Sequence, residues 1–494
     1  MAINKLVIAG GGTAGWMTAL LARRVLDQKI DIELVESDQI GIIGVGEATI
    51  PPIQTFNNYV GLDEKEFLRE TNATIKLAIR FENWQRQGEQ YYHTFGAPGA
   101  NMGFCTFQHY VTRSQRLGEA SDLWEYDLNY LCCVEGKFNK INTQNPFFEV
   151  PYAYHFDSAL YGQYLRKLAE KSGVRRTEGI IKDILINSEN GYIEELQLDN
   201  GQKVQGDLFV DCTGLRRLLI GDKLGVGFED WTHWIPSNSA IAVQTEGSGD
   251  LVPYTRSIAH AAGWQWQIPL THRTGNGIVY STDHLSDDEA MNTLMTNLPG
   301  QPINEPRPIR FRTGRVVDQW HKNVVAIGLS SGFLEPLEST SIHLIQSAAV
   351  RLMKLFPNEG IRQATVDRFN EESREEYETV RDFIILHYHV NERDEPYWQT
   401  LRHMPIPERL QHKIDLYRET GSIFNDSLDI FRDSSWLQVM AGQGIEAADY
   451  HPAADAIAAD ELLRSLARMR NAKREPMASM LPHREFLERY LASQ

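Results

Sequence analysis

The sequence predicts a mixed α/β (α+β) fold that opens on a strand–turn–helix–strand unit and ends in a mainly helical region. Three observations carry this. The apolar run Lys5-Leu6-Val7-Ile8-Ala9 stops at Gly10-Gly11-Gly12, a helical stretch runs from Thr13 to about Asp27, and Ile32-Glu33-Leu34-Val35-Glu36 follows as a second strand. Parallel neighbours need such a crossover, so this unit requires a parallel sheet. Asn190-Gly191 and Asn200-Gly201 separate short alternating segments, the strongest short-range signal for a hairpin. From about Arg362 onward, strand-like alternation gives way to charged amphipathic segments such as Ala458 to Lys473.

The other elements follow in chain order. Gly41 to Pro52 reads as a Gly-rich loop. Asp157 is a good N-cap for a helix from Ser158 to about Lys171, closed by Gly173. Past the Asn-Gly turns, Leu208-Phe209-Val210 leads into Asp211-Cys212-Thr213-Gly214. Val324-Val325-Ala326-Ile327-Gly328 is a further apolar strand, followed by a long polar loop and a helix from near Ser341 to about Phe356. A soft boundary near residue 360 separates a module over 1–360, with inserted substrate-side strands, from a helical subdomain over 361–494. Internal repeats and low-complexity tracts are not evident.

The chain has 494 residues, 42% of them apolar and 23% charged, which is ordinary for a globular protein and argues against disorder as its main state. Its net charge of −17 and the lack of a sustained basic stripe argue against a nucleic-acid partner. Cys105, Cys132, Cys133 and Cys212 show no CxxC spacing, so neither a zinc site nor a disulfide framework is expected, and a reducing cytoplasm is the expected location. His387-x-His389 has no third ligand in register and reads as structural, so no metal is expected. No leader pattern precedes the first strand, and no run approaches the length of a membrane span, so no membrane partner is expected.

Two motifs carry chemistry. Gly10-x-Gly12-x-x-Gly15 is weak alone, but here it follows a strand, opens a helix and is followed by Glu36 at the end of the next strand. Glycines let a backbone approach a pyrophosphate, the helix N-terminus favours the anion, and a carboxylate at Glu36 accepts from ribose hydroxyls. The alternative is a tight turn with no phosphate. A second such fingerprint is missing, which favours one bound dinucleotide. The other motif is Trp264-x-Trp266-x-Ile268-Pro269; alternation places Trp264, Trp266 and Ile268 on one face of a strand, where a packed aromatic face is the plain reading.

Together these two motifs are the signature of the flavin-dependent halogenases typified by the tryptophan halogenases, which the chain resembles. The likeness extends to Gly44-Val45-Gly46-Glu47-Ala48-Thr49-Ile50-Pro51, Tyr154-His155-Phe156-Asp157 and Glu335-Pro336-Leu337-Glu338-Ser339-Thr340, in family order along nearly the whole chain. It implies a Rossmann-type FAD-binding module of the flavin monooxygenase and halogenase type. FAD, as FADH2, would arrive from a separate NADH-dependent flavin reductase. With O2 and a halide (bromide or chloride) it would yield hypohalous acid, which passes through an enclosed tunnel to a lysine beside an electron-rich aromatic substrate. The two tryptophans would lie near the flavin and hinder monooxygenation.

The resemblance also assigns residues. Lys76 matches the tunnel lysine and Glu338 the active-site glutamate, giving the catalytic pair. FAD would be held by Gly10, Gly12, Thr13, Ala14, Gly15, Glu36, Gly46, Glu47, Ala48, Asp211, Gly328 and Leu337. Thr340 and Ser341 fall where backbone N–H groups contact halide; the better-known tryptophan halogenases have glycine at the second of these, and serine resists a positive φ. His93 and Phe95 match residues flanking the substrate ring, and Trp436 is expected to pack near it. Without the resemblance, Lys76 reads as a solvated lysine, Glu338 as a loop carboxylate or helix cap, and His93 and Phe95 as core packing.

The stretch Phe431-Arg432-Asp433-Ser434-Ser435-Trp436-Leu437-Gln438-Val439 lacks the Tyr-Tyr pair with which tryptophan halogenases help to hold the amino acid. Free indole or a simple indole derivative is therefore the expected substrate, with a larger carrier-bound substrate as a further option. A two-component flavin monooxygenase that hydroxylates or epoxidises an aromatic ring is the alternative activity, and a non-catalytic flavin-binding subunit a third. The resemblance leaves monomer and homodimer both open.

Overall fold

The computed structural model describes residues 3–40, 46–119, 122–247, 249, 251–425 and 429–492. Gly44 and Val45 of the glycine-rich motif lie outside the described residues. The chain divides into two compact units, one formed by Met1–Ala73, Phe156–Asn238 and Ile309–Glu378, the other by Thr74–His155, Ser239–Pro308 and Thr379–Gln494. This interleaved partition differs from the expected single cut between 1–360 and 361–494. That cut follows a change of pattern along the chain, whereas the units are set by strand pairings between distant segments.

In the first unit, a sheet runs in the order Trp320–His321, Val324–Ala326, Leu208–Asp211, Lys5–Ala9, Asp31–Glu36 and Arg175–Glu178. Lys5–Ala9 pairs in parallel with both neighbours, Ile8 facing Leu34 on one side and Val210 on the other. Leu6, Val7, Ile8 and Ala9 are all buried, as a central parallel strand covered on both faces demands. The helices Thr13–Leu26 and Ser158–Lys171 meet the sequence expectation closely. Asp157 caps the second by accepting from the N–H groups of Ala159 (3.0 Å) and Leu160 (3.2 Å). Ile181–Ile186, Ile193–Leu198 and Lys203–Gln205 form the antiparallel meander that the two Asn-Gly turns predict. Part of the expected glycine-rich loop is regular: Gly46–Ala48 is a strand and Pro52–Tyr59 a helix begun by proline. In an open parallel sheet, ligands bind beyond the carboxyl ends of the strands. The turns at Gly10 and at Cys212-Thr213-Gly214 occupy that position here.

In the second unit, six strands pair in the order Ser239–Glu246, Arg273–Tyr280, Gly263–Pro269, Tyr254–His260, Ala78–Glu82 and Gln90–Thr94. The tryptophan motif is the strand Gly263–Pro269, buried on both faces along its whole length. Trp266 faces Gly277 across the antiparallel pair, and a Cβ built on Gly277 would lie 2.1 Å from the Trp266 ring. Only a glycine leaves room for the indole there. Gly277→Ala is expected to cost about 2 kcal/mol by overpacking. A melting curve against wild type checks this, and an unchanged Tm would show that the ring moves freely. No described helix is long and apolar enough to cross a membrane.

Candidate functional site

The fingerprint glycines have different reasons to be glycine. Gly10 has φ +110°, and a Cβ on it would stand 2.2 Å from the Cys212 carbonyl oxygen. A Cβ on Gly15 would meet the Gly10 carbonyl at 1.9 Å. These two are demanded by packing. A Cβ on Gly12, by contrast, would find nothing among the described residues within 4 Å, and this residue precedes the helix Thr13–Leu26 without any side-chain cap. Gly12, Thr13 and Ala14 thus present open backbone at a helix N-terminus, which fits an incoming pyrophosphate. Gly11 lies against Glu36, whose Oε2 would be 1.5 Å from a Cβ placed there. The other carboxylate oxygen of Glu36 accepts from Arg176 Nε (2.7 Å) and lies 3.5 Å from Arg166. The sequence reasoning missed these two arginines, which orient the carboxylate beside the glycine turn. Glu47 is half-buried, and desolvation pushes its carboxyl up to about 7.

Asp211, expected among the cofactor contacts, is saturated by its own chain. Oδ1 accepts from the N–H (2.9 Å) and hydroxyl (2.7 Å) of Thr213, and Oδ2 from the N–H groups of Leu219 and Ile220 (both 2.9 Å). Four donors use the acceptor capacity of one carboxylate. Asp211 therefore shapes the turn after its strand. Gly328, at φ +74°, packs against Ala14, with a Cβ position 2.8 Å from that methyl. Leu337 and Glu338 are buried in the short turn Pro336–Glu338. The positive φ that serine would resist does not fall at Ser341. Ser339 takes the left-handed conformation (φ 59°), whereas Thr340 precedes and Ser341 begins the helix Ser341–Lys354. Serine fits that helical position without strain, so the substitution at Ser341 leaves the helix N-terminus intact.

In the second unit, Lys76 ends the short strand Thr74–Lys76, paired with Ala153–His155. Its side chain is wholly buried, at 0% exposure, and Nζ lies 5.1 Å from the centroid of the Phe95 ring. The solvated reading of this lysine is therefore wrong. His155 faces Thr74, whose hydroxyl lies 3.0 Å from its Nδ1. Burial, reinforced by the Lys76 charge and by His483, holds this imidazole well below its ordinary pKa. His93 is buried beside Phe383 (5.5 Å between centroids) and Phe431 (6.1 Å). Phe383 stacks on Phe431 at 3.8 Å and meets Trp436 edge-on at 4.8 Å. Asp429 fixes two of these rings: it accepts from the Trp436 indole N–H (3.1 Å) and from the Phe431 N–H (3.2 Å), with Lys413 3.0 Å away. Burial raises the Asp429 pKa against the opposing pull of Lys413.

The structure therefore gathers His93 and Trp436 around Phe383 and Phe431, and sets Phe95 beside Lys76. Phe383, Asp429 and Lys413 are not singled out by the sequence, because no local spacing links residues so far apart. The tryptophan strand brings Trp264 within 6.2 Å of Trp266 and 6.3 Å of Trp84, and Ile268 and Pro269 are buried with them. His387 stacks on Phe81 at 4.5 Å and has its Nδ1 2.8 Å from the Tyr91 hydroxyl, a core role consistent with a structural reading. Cys132 and Cys133 are buried thiols, and burial lifts Cys212 well above the ordinary thiol range.

A family model described as tryptophan halogenase matches residues 5–459. The fold is similar to that of Xcc4156, a flavin-dependent halogenase from Xanthomonas campestris, with 44% identity, a TM-score of 0.97 and 99% of each chain covered. BrvH, a flavin-dependent halogenase from Brevundimonas sp. BAL3, is 43% identical with a TM-score of 0.95 over 99% of each chain. Tryptophan 7-halogenase RebH of Lentzea aerocolonigenes is 34% identical over 482 residues, 90% of each chain.

Proposed function

Because the chain belongs to the tryptophan halogenase family and is a flavin-dependent halogenase, an oxidoreductase, we propose that it halogenates free indole or a simple indole derivative beside Lys76. Enzymes of this family use FADH2 from a separate reductase, with halide and O2, on an aromatic substrate. Bound FADH2 would supply two of the four electrons that reduce O2, the halide giving the other two as it becomes hypohalous acid with release of water. Gly12, Thr13, Ala14 and Glu36 would hold it, on the open backbone and oriented carboxylate described above.

One observation carries the reading: a lysine with no exposed surface stands over the Phe95 ring. Burial disfavours the charged form of an amine, and a buried titratable group beside an aromatic ring is a candidate for chemistry. There Lys76 donates hydrogen bonds to hypohalous acid or, once deprotonated, takes the halogen onto nitrogen as the O–halogen bond breaks and hydroxide leaves with an amine proton as water. In the first unit, the buried Glu338 stands two residues before Thr340, which with the N–H groups opening the helix Ser341–Lys354 would receive the halide. His93, Phe383, Phe431 and Trp436 supply aromatic surface suited to a flat ring, and the helix bearing Trp436 offers no Tyr-Tyr pair for an amino-acid zwitterion.

The test is mass spectrometry of an indole reaction with FAD, a flavin reductase, NADH and O2, run with bromide, with chloride and with neither. A halide-dependent isotope doublet on indole is the expected result. Oxygenated indole regardless of halide would move the assignment to a monooxygenase, and product from tryptophan but not indole would overturn the substrate.

A further inference from the structure

Within the sheet of the second unit, Gln90–Thr94 carries His93 and runs on to Phe95, which stands beside Lys76. Among the described residues this strand is last in the sheet order, with Thr94 paired to Ala78 on one side only. An edge strand leaves outward N–H and C=O groups that need another partner. At Thr94 that partner is the side chain of Gln438, fully buried in the helix Asp433–Gly442. Its Oε1 accepts from the Thr94 N–H (2.9 Å), and its Nε2 donates to the Thr94 carbonyl (3.4 Å) and to the Gly96 carbonyl (3.3 Å). One side-chain amide thus stands in for the peptide of a missing neighbouring strand.

The grip is reinforced on both sides. The Thr94 hydroxyl donates to Asp127 Oδ2, and Asp127 Oδ1 accepts from the Asn129 N–H at 2.9 Å. A Cβ on Gly96 would lie 2.2 Å from that same Oδ1, so the chain passes Asp127 only as glycine. Asn129 Nδ2 donates to the Leu77 carbonyl (3.2 Å), which also accepts from the Phe95 N–H (3.0 Å). Leu77 follows Lys76 directly. The backbone bearing the lysine and the backbone bearing His93 and Phe95 are therefore locked to one another through a buried amide network. Gln438 lies two residues beyond Trp436, so the same helix sets one pocket ring and clamps the strand that carries another.

We propose that Gln438 is a positioning residue: its amide holds the Thr94–Gly96 backbone so that His93 and Phe95 face the arene at a fixed distance from Lys76. The inference rests on the halogenase reading above. A pocket displaced by even about 1 Å loses productive geometry, and a loosely held ring lets enclosed oxidant escape unused. Gln438→Met keeps the volume and removes every hydrogen bond. Gln438→Glu keeps one acceptor pair, removes the donors to Thr94 and Gly96, and adds charge near Asp127. Gln438→Asn keeps the whole amide, one methylene short.

The experiment measures KM for indole, the affinity for FAD, halogenated indole formed per FADH2 oxidised, and Tm. Gln438→Met is expected to raise KM about fivefold and to lower product per FADH2 about threefold, with FAD affinity unchanged. Gln438→Asn is expected to fall between it and wild type, and it carries the test should the other two variants fail to fold. A lowered Tm with KM and coupling within about twofold of wild type would overturn the proposal and leave Gln438 a purely structural residue. Failure of the wild type itself to halogenate indole would instead strike the reading on which the proposal rests.

Discussion

Lys76→Met is expected to abolish halogenated product, by roughly 10³-fold or more, while FAD binds as in the wild type. The side chain has no exposed surface and its Nζ lies 5.1 Å from the Phe95 centroid, so its loss removes the buried amine that stands at that ring. Methionine keeps the length and apolar character of the side chain, so the strand Thr74–Lys76 should still pair with Ala153–His155. Stability should hold or rise, because a buried ionisable group replaced by a well-packed apolar one often stabilises. The measurement is single-turnover halogenation of indole with pre-reduced FAD, beside flavin titration and a melting curve. Product within about tenfold of wild type would remove Lys76 from the chemistry.

The second large effect separates two glycines of one motif. Gly10→Ala places a methyl 2.2 Å from the Cys212 carbonyl at a residue with φ +110°. The clash is with backbone, which cannot swing aside, so a loss of roughly 3 kcal/mol or more in fold stability is expected. Gly12→Ala meets nothing among the described residues within 4 Å. Its fold should melt as wild type does, while its affinity for FAD falls by about tenfold or more, because the methyl occupies the face a pyrophosphate must approach. Thermal melts with and without FAD read both effects together. A Gly12→Ala protein that binds FAD normally would move the cofactor away from this turn, and a Gly10→Ala protein of unchanged Tm would contradict the close packing on Cys212.

Neighbours along the chain suffice for much of this molecule. The strand–turn–helix–strand opening follows from an apolar run, three glycines and a periodic stretch, all within the first 36 residues. Asp157 caps its helix through the next three residues, and each Asn-Gly turn closes a hairpin between strands that touch it. These features rest on propensities and hydrogen bonds of short range, which a linear string records. The tryptophan strand is legible too, since alternation and aromatic content mark it without any knowledge of its neighbours.

Other features required packing to bring distant segments together. Lys76 on paper is an amphipathic lysine, and its burial depends on pairing with Ala153–His155 and on Phe95. The resemblance places Asp211 at the cofactor, and only the fold shows that Thr213, Leu219 and Ile220 occupy both of its carboxylate oxygens. The positive φ belongs to Ser339 rather than Ser341, because the helix starts directly after Thr340 and places Ser341 in ordinary helical geometry. The stack of Phe383 on Phe431, the anchoring of Trp436 by Asp429 and the grip of Gln438 on Thr94 join residues with no common periodicity. A sequence specifies such contacts only through the free energy of the whole fold, where burial and hydrogen-bond satisfaction are decided jointly. The same dependence interleaves the compact units along the chain, since a strand finds its partner by pairing and not by proximity in sequence.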